Sequence, residues 1–241
     1  MLLLALSIAP GLAIILYVYR KDSYDREPKR YLLVSFFLGM LSVIPAFILE
    51  KAGGFIFGNM GRSSSISFYA FFAFVVVAAS EEASKFAAVK WYAYPKKYFD
   101  EPFDGIMYSV MVAMGFATVE NIGYVQQHGF GTAILRMFLS VPAHAAFGII
   151  MGYYIGLAKF NKEKSTGYLI TGLLLAVFFH GAFDFFLFLQ DSIKVKEYVS
   201  EGLLFLGAIA SFYFAVRLSL RSIRLHRELS RIDFEKRNKQ V

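Results

Sequence analysis

Residues 68–92 read FYAFFAFVVVAASEEASKFAAVKWY, an apolar run with three ionisable side chains deep inside it, Glu81, Glu82 and Lys85. The run is long enough to cross a bilayer, because a spanning helix needs ~20 mainly apolar residues. A charged side chain at the centre of such a helix costs roughly 2.5–3.5 kcal/mol on insertion scales, and it usually faces a bundle interior or a wet cavity. We therefore expect the other helices to surround these three residues.

The composition indicates a membrane protein, since 57% of the 241 residues are hydrophobic and several more apolar runs approach the length of a span. The predicted fold is an all-α, polytopic transmembrane helix bundle. About seven spans are expected, at residues 2–19, 31–49, 68–92, 105–125, 132–158, 168–189 and 202–220. The second is expected to kink at Pro45. A re-entrant segment around Phe55 could add to the count, and Gly58, Gly61 and Ser63 predict a flexible connection after it.

The first apolar run is interpreted as a span and not as a cleavable signal peptide, because no basic residues precede it and no small-residue cleavage site follows it. Basic residues are concentrated in alternate connections, at residues 20–30, 90–97, 159–164 and after 220. This alternation predicts an N-terminus outside the cell and a C-terminus in the cytoplasm. It also explains the net charge of +7 without nucleic acid as a partner. The chain has no Cys, which excludes disulfides, thiolate metal sites and Cys nucleophiles.

The predicted domain organisation is a single integral-membrane domain at residues 1–220, followed by a basic cytoplasmic tail at residues 221–241. The tail is expected either to lie on anionic lipid headgroups or to act simply as a topology anchor. No segment of the sequence resembles a soluble domain, so any chemistry is expected within the helix bundle.

The spacing of Glu81, Glu82 and Lys85 predicts the directions in which their side chains point from the helix. Glu81 and Lys85 are four residues apart with the Glu first, which places them on one helix face in the favourable orientation for an ion pair. Successive helical residues point about 100° apart, so the two carboxylates are not expected to share a target. We expect Lys85 to hold Glu81 while Glu82 faces the reaction centre.

Two histidines lie within later spans, His144 in the fifth and His180 in the sixth. Small residues at spacing four accompany both, namely Gly148, Gly152 and Gly156 after His144, and Gly172 and Ala176 before His180. Such stripes predict faces that pack closely against other helices. Asp184 follows His180 by one turn, so the two are placed like paired metal ligands. Alternatively, Asp184 orients the imidazole and fixes its tautomer.

Each of these polar residues also has a purely structural interpretation, as part of an interhelical hydrogen bond or a buried ion pair. Five charged or chargeable groups together would cost on the order of 10 kcal/mol on the insertion scale, which favours a function. Glu120 and Asn121 add further polar groups in the fourth span. A carboxylate base, imidazoles and an orienting carboxylate together form a plausible site for activating water.

Four motifs on successive spans resemble those of the PrsW family of bacterial intramembrane proteases. They are Glu81-Glu82-x-x-Lys85, Ala117-Thr118-Val119-Glu120-Asn121, His144-Ala145-Ala146-Phe147-Gly148 and His180-Gly181-Ala182-Phe183-Asp184. The resemblance covers residues 68–189. It implies peptide-bond hydrolysis in the bacterial cytoplasmic membrane, with Glu81, Glu82 and His180 needed for activity. The best-known member makes the first, extracytoplasmic cut in a single-span anti-sigma factor of an envelope-stress response.

The family is usually grouped with metalloproteases, and it is distantly similar to the CAAX prenyl proteases and bacteriocin-immunity membrane proteases. A metal-free glutamate mechanism has been argued for those relatives, so both versions stay open here. We expect Glu82 with His144 to activate a water, either directly or on a divalent metal such as Zn²⁺. His180 and Asp184 are expected to bind the metal or to stabilise the oxyanion. Glu120 is a further candidate ligand, and Lys85, Glu120 and Asn121 are supporting residues.

Two other classes of protein are compatible with the same residues. A proton-coupled transporter would use the buried Glu, His and Asp residues as a relay. A membrane scaffold or sensor would carry a degenerate site. Neither would cleave a membrane protein.

Overall fold

The computed structural model describes residues 1–57 and 65–239, with side chains up to residue 237, and over this part of the chain it confirms the all-α prediction. We number its helices in chain order. They are α1 (Leu2–Lys21), α2 (Lys29–Leu41), α3 (Val43–Phe57), α4 (Ile66–Ala93), α5 (Pro102–Phe138), α6 (Ser140–Phe160), α7 (Ser165–Leu189), the short α8 (Ile193–Lys196) and α9 (Glu201–Lys239).

Six helical stretches within the described residues are long and apolar enough to cross a membrane. They are Leu2–Lys21, Lys29–Phe57, Ile66–Ala93, Pro102–Phe160, Ser165–Leu189 and Glu201–Arg237. The sequence predicts about seven spans, and the difference lies in Pro102–Phe160, where the predicted fourth and fifth spans follow each other as α5 and α6. The orientation of the two termini stays a prediction.

The chain of α5 turns back on itself at Gly129. This residue has a φ of +78°, a conformation that favours glycine because it lacks a Cβ. Glu120 and Arg136 are sixteen positions apart and would be about 24 Å apart along a straight helix. Their side chains nevertheless meet, with Arg136 Nη2 2.9 Å from Glu120 Oε2. The returning segment therefore lies beside the first part of α5.

Two prolines explain where helices break. The kink predicted at Pro45 is present as a break at Ser42, between α2 and α3. Proline has no N–H to donate to the carbonyl four residues before it, and its ring clashes with that carbonyl. For Pro45, this is the carbonyl of Leu41. Pro142 acts in the same way on Phe138, the last residue of α5. The predicted fifth span, 132–158, is accordingly interrupted at Leu139. The connection predicted at Gly58, Gly61 and Ser63 lies outside the described residues.

The core is centred on the first part of α5, in which every residue from Pro102 to Thr118 is buried. Glycines allow neighbouring helices to approach it closely. A Cβ added to Gly152 would lie 2.3 Å from the carbonyl oxygen of Gly105, and one added to Gly156 would lie 2.3 Å from that of Pro102. The predicted glycine stripe on α6 is thus confirmed as the surface that packs on α5.

The Glu pair lies in the middle of α4, on the α-helical stretch Ala79–Ala88. π-helical segments, Phe72–Ala78 and Val89–Ala93, flank this stretch on both sides. Such wider turns are rare and often occur at functional sites. The three ionisable residues of the stretch point into the bundle, because Glu81, Glu82 and Lys85 are all buried.

The last helix, α9, continues without a break from the predicted seventh span to Lys239. One face of its second half packs on the protein, where His226 is fully buried and Ser230 Oγ accepts a hydrogen bond of 3.3 Å from the backbone N–H of Phe103. The opposite face exposes Arg221 and Arg224. The division of the chain at residue 220 and the contact of the tail with lipid stay predictions.

Candidate active site

The ammonium group of Lys85 lies at the centre of a buried polar cluster. It donates to Glu82 Oε1 at 2.7 Å and to Glu81 Oε2 at 3.1 Å, both on its own helix. It also lies 3.2 Å from His144 Nδ1 on α6. An ammonium has only donors, so His144 Nδ1 must present its lone pair to Lys85. The cluster thus joins α4 to α6.

His180 on α7 completes the cluster. Its Nδ1 lies 2.8 Å from Glu82 Oε1, and its Nε2 lies 3.2 Å from Asp184 Oδ2 and 3.9 Å from Glu81 Oε2. A neutral imidazole has a single N–H, so a neutral ring can donate to only one of these carboxylates. The two predicted histidines are brought together, with ring centroids 5.3 Å apart.

Glu120 on α5 holds the other side of the His144 ring. Its Oε2 lies 2.8 Å from His144 Nε2 and 2.9 Å from Arg136 Nη2. Asn121, the neighbouring residue, accepts a 2.9 Å hydrogen bond from Arg136 Nε and donates one of 3.0 Å to the backbone carbonyl of Ser7. The predicted supporting residues Glu120 and Asn121 are therefore both in the network, which reaches α1.

These side chains border a cavity of about 810 Å³. The polar groups that line it include five of the predicted residues, Glu81, Glu120, His144, His180 and Asp184. Sequence reasoning missed Glu50, Tyr124 and Arg136, which line the same cavity. Arg136 could have been found, because it falls inside the predicted fifth span, where a charged residue is itself a functional signal.

Lys85 holds Glu81 as predicted, but the structure does not separate the two glutamates in the predicted way. Lys85 binds both carboxylates, because it is four residues from Glu81 and three from Glu82, and both spacings place side chains on one helix face. Glu81 lines the cavity, whereas Glu82 is fully buried beneath it. The carboxylate that faces the open space is therefore that of Glu81.

The donor set suits a metal ion. Glu81, Glu82, His144 and His180 each offer one donor atom, and these four atoms all lie within 4.8 Å of one another. Carboxylate oxygens and imidazole nitrogens are ligands that Zn²⁺ takes in catalytic sites. Glu82 Oε2 is also buried with no hydrogen-bond partner among the described residues. The Lys85 ammonium occupies the space between three of these residues, so a metal would have to displace it.

This set differs from the predicted ligands in one residue. Glu82, His144 and His180 are brought together as predicted, but Glu81 takes the fourth place, where the prediction had Asp184. Asp184 contacts His180 Nε2, which agrees with the alternative that Asp184 orients the imidazole. The network contains four carboxylates, those of Glu81, Glu82, Glu120 and Asp184, but only two basic side chains with a fixed charge, Lys85 and Arg136. This excess of negative charge favours a bound cation.

Comparisons with known proteins agree with the motifs. Residues 27–216 match the family described as PrsW family intramembrane metalloprotease. A relative from Geobacillus kaustophilus named Protease PrsW is 39% identical over 189 residues, which cover 78% of this chain and 81% of the relative. Proteins of the same name from Bacillus subtilis and Clostridioides difficile are 39% and 35% identical and are covered over 82% and 80% of their lengths. No solved structure matches.

The family match decides between the protease and the transporter in favour of the protease. The matched residues include the whole buried cluster and five of the six helical stretches, in whole or in part. The chain is accordingly an integral protein of a bacterial membrane that acts on a membrane-protein substrate. It belongs to the PrsW family of intramembrane metalloproteases.

Proposed function

We propose that this protease hydrolyses a peptide bond of a substrate segment that enters the 810 Å³ cavity, with Glu81 as the general base. One observation carries this assignment. Glu81, His144 and His180 open on the cavity, while Glu82 and Lys85 hold them from the buried side. A carboxylate at the edge of the cavity can take a proton from a water that attacks a carbonyl there.

Glu82 is assigned a holding role. Its Oε1 binds both Lys85 and His180 Nδ1, so it fixes the His180 ring relative to α4. Asp184 contacts the other ring nitrogen from one turn along α7. His180 is thereby oriented at both nitrogens, with its ring stacked on Phe147 at a centroid distance of 5.1 Å. To bind a metal or hydrogen-bond the developing oxyanion, His180 would give up one of these two carboxylate contacts, while the other keeps the ring oriented.

The metal is proposed to be Zn²⁺, held by Glu82, His144 and His180, with Glu81 as a ligand or as the base. Bound zinc lowers the pKa of a coordinated water and polarises the substrate carbonyl. A metal-free version uses the same residues, with the Glu81 carboxylate acting on water directly. The two versions differ in where the Lys85 ammonium lies, because it now occupies the space among the ligands.

The topology is proposed to comprise seven crossings, with α5 up to Gly129 as the fourth and residues 132–158, which include the end of α5 and most of α6, as the fifth. A single helix of the 59 residues Pro102–Phe160 would be about 88 Å long, nearly three times the ~30 Å hydrocarbon core of a bilayer. The fold-back at Gly129 supports this count. With the N-terminus outside, the site lies in the central to outer part of the membrane. A single-span anti-sigma factor, cut first on its extracytoplasmic side, is the proposed substrate.

The test is a cleavage assay in proteoliposomes against a panel of single-span membrane proteins that includes anti-sigma factors. Mass spectrometry of the products gives the cleavage position. We expect Glu81→Gln to reduce the rate at least ~100-fold, because general-base catalysis contributes ~10²–10⁴-fold. His180→Ala and Glu82→Gln should lose activity as well. Glu163→Gln, an exposed loop substitution, is the control and should cleave like the unmodified protein. Unimpaired cleavage by Glu81→Gln would refute the assigned base.

A further inference from the structure

Arg136 is an arginine inside a membrane helix that the mechanism above does not use. Its side chain is 13% exposed, and two of its nitrogens contact acceptors on the first part of α5. Nη2 lies 2.9 Å from Glu120 Oε2, and Nε donates to Asn121 Oδ1 at 2.9 Å. A charged residue in this setting is expensive and usually has a function.

The backbone is arranged to make this contact. Arg136 follows the fold-back at Gly129, without which it would lie about 24 Å from Glu120 along the helix axis. Asn121 in turn donates to the carbonyl of Ser7, which ties the contact to α1. The guanidinium also lies over the Tyr124 ring, 4.2 Å from its centroid. Three neighbours thus restrict the position of Arg136.

The partner of Arg136 is the residue that orients His144. A single oxygen, Glu120 Oε2, lies 2.9 Å from Arg136 Nη2 and 2.8 Å from His144 Nε2. Glu120 as a carboxylate can only accept, so His144 Nε2 carries the proton and Nδ1 has the lone pair. That lone pair faces the cluster, where Nδ1 lies 3.2 Å from Lys85 Nζ. The direction of the reactive nitrogen therefore depends on the position of Glu120.

We propose that Arg136 is a positioning residue of the protease, which fixes Glu120 and through it directs the Nδ1 lone pair of His144 at Glu81, Glu82 and His180. The role of Arg136 rests on the proposed function, because it matters for activity only if His144 takes part in hydrolysis. The simpler possibility is that Arg136 only neutralises Glu120 and fastens the returning segment. A purely structural role of that kind would affect stability and leave the His144 ring unchanged.

The first test measures the tautomer of the His144 imidazole directly and needs no substrate. The chain has four histidines, so ¹⁵N imidazole signals of the purified full-length protein in detergent can be assigned by single substitutions. In these spectra His144 should show a single tautomer, with the proton at Nε2 and the lone pair at Nδ1. Arg136→Gln should lose this single tautomer, whereas Arg136→Lys, which can still pair with Glu120, should keep it. An unchanged His144 spectrum in Arg136→Gln would overturn the inference.

The second test uses the substrate identified in the proteoliposome assay. Arg136→Gln should lower kcat about 10–100-fold, the usual effect of losing a group that orients a ligand, and should leave KM unchanged. Glu120→Gln combined with Arg136→Gln should be little worse than Glu120→Gln alone, because both act on His144. Arg217→Gln, an exposed arginine of α9, is the matched control. A rise in KM with an unchanged kcat would show that Arg136 contacts the substrate and would refute a positioning role.

The two tests separate the inference from the function on which it rests. If Glu81→Gln still cleaves, the proposed base fails, while the His144 spectrum continues to report on Arg136. If Glu81→Gln is inactive and Arg136→Gln is fully active with an unchanged melting temperature, only the inference fails.

Discussion

At the scale of single residues, Lys85 and a metal ion would compete for the same small set of oxygen and nitrogen atoms. Lys85 Nζ lies 2.7–3.2 Å from Glu82, Glu81 and His144, three of the four residues that could hold a metal. A buried ammonium and a divalent cation repel each other strongly, because charges interact with little screening away from water. Binding of a metal therefore requires the long Lys85 side chain to swing out of the cluster.

This competition leads to a prediction about metal content. Protein dialysed against Zn²⁺ and then against buffer should retain about one Zn²⁺ per chain, measured by mass spectrometry of the metal, and chelation should abolish cleavage. Glu82→Gln should lower the occupancy, since it weakens one of the proposed ligands. Glu50→Gln is the control, because Glu50 lines the cavity but is not among the four residues. Full cleavage by rigorously metal-free protein would favour the direct glutamate mechanism.

At the scale of helices, the positions of His144 and the Glu pair depend on how closely α6 packs on α5. The contact is made through backbone atoms, since a Cβ on Gly152 would lie 2.3 Å from the carbonyl oxygen of Gly105 and 2.8 Å from Ile106 Cα. No flexible side chain is present there to move aside. His144 lies two turns before Gly152 on α6, so a shift at this contact would be transmitted to the cluster.

Gly152→Ala should therefore destabilise the bundle by about 1–3 kcal/mol, the usual cost of overpacking. Thermal unfolding in detergent measures the effect, and cleavage activity should fall in parallel. Gly167→Ala is the matched control on α7, because an added Cβ there meets nothing within 4 Å. Alanine at that position should be neutral or slightly stabilising in a helix. Equal melting temperatures for the two variants would contradict the tight α5–α6 contact.

At the scale of the whole molecule, a second group of carboxylates lies at the end of the bundle opposite the site, where α1 ends and α5 begins. Burial is the main cause that raises the pKa of Asp22 to about 7, of Glu27 to about 7 and of Glu101 to about 8. Both carboxylate oxygens of Asp22 are buried with no hydrogen-bond partner among the described residues. The topology prediction places this end in the cytoplasm.

The stability of the protein should therefore fall as the pH rises from about 5 to 8. The folded state keeps protons on these carboxyls that the unfolded state, with ordinary pKa values near 4, has already released. The unfolded state thus binds fewer protons over this range, and unfolding becomes easier as pH increases. Glu101→Gln should flatten the dependence of the melting temperature on pH, while Glu163→Gln in an exposed loop should not. A melting temperature that rises from pH 5 to 8 would contradict the assignment.

Much of the fold could be predicted from local patterns in the sequence. Apolar runs of span length located the helices, because a segment in lipid must satisfy its own backbone hydrogen bonds. Small residues at spacing four identified the packed faces of α6 and α7, since packing in a membrane needs close approach. The break at Ser42 lies one turn before Pro45, where a kink is predicted, and the break at Leu139, inside the predicted fifth span, lies one turn before Pro142.

By itself, the sequence determined the helical membrane fold and most members of the cluster, because charged residues inside apolar runs are costly enough to stand out. Its four motifs indicated the family. Only the tertiary structure decided how the members face one another. It turned Glu81 to the cavity, placed Lys85 between both glutamates and His144, and brought Arg136 to Glu120 through the turn at Gly129. These contacts join residues on different helices or across a chain reversal, and their distances depend on packing that no local periodicity encodes.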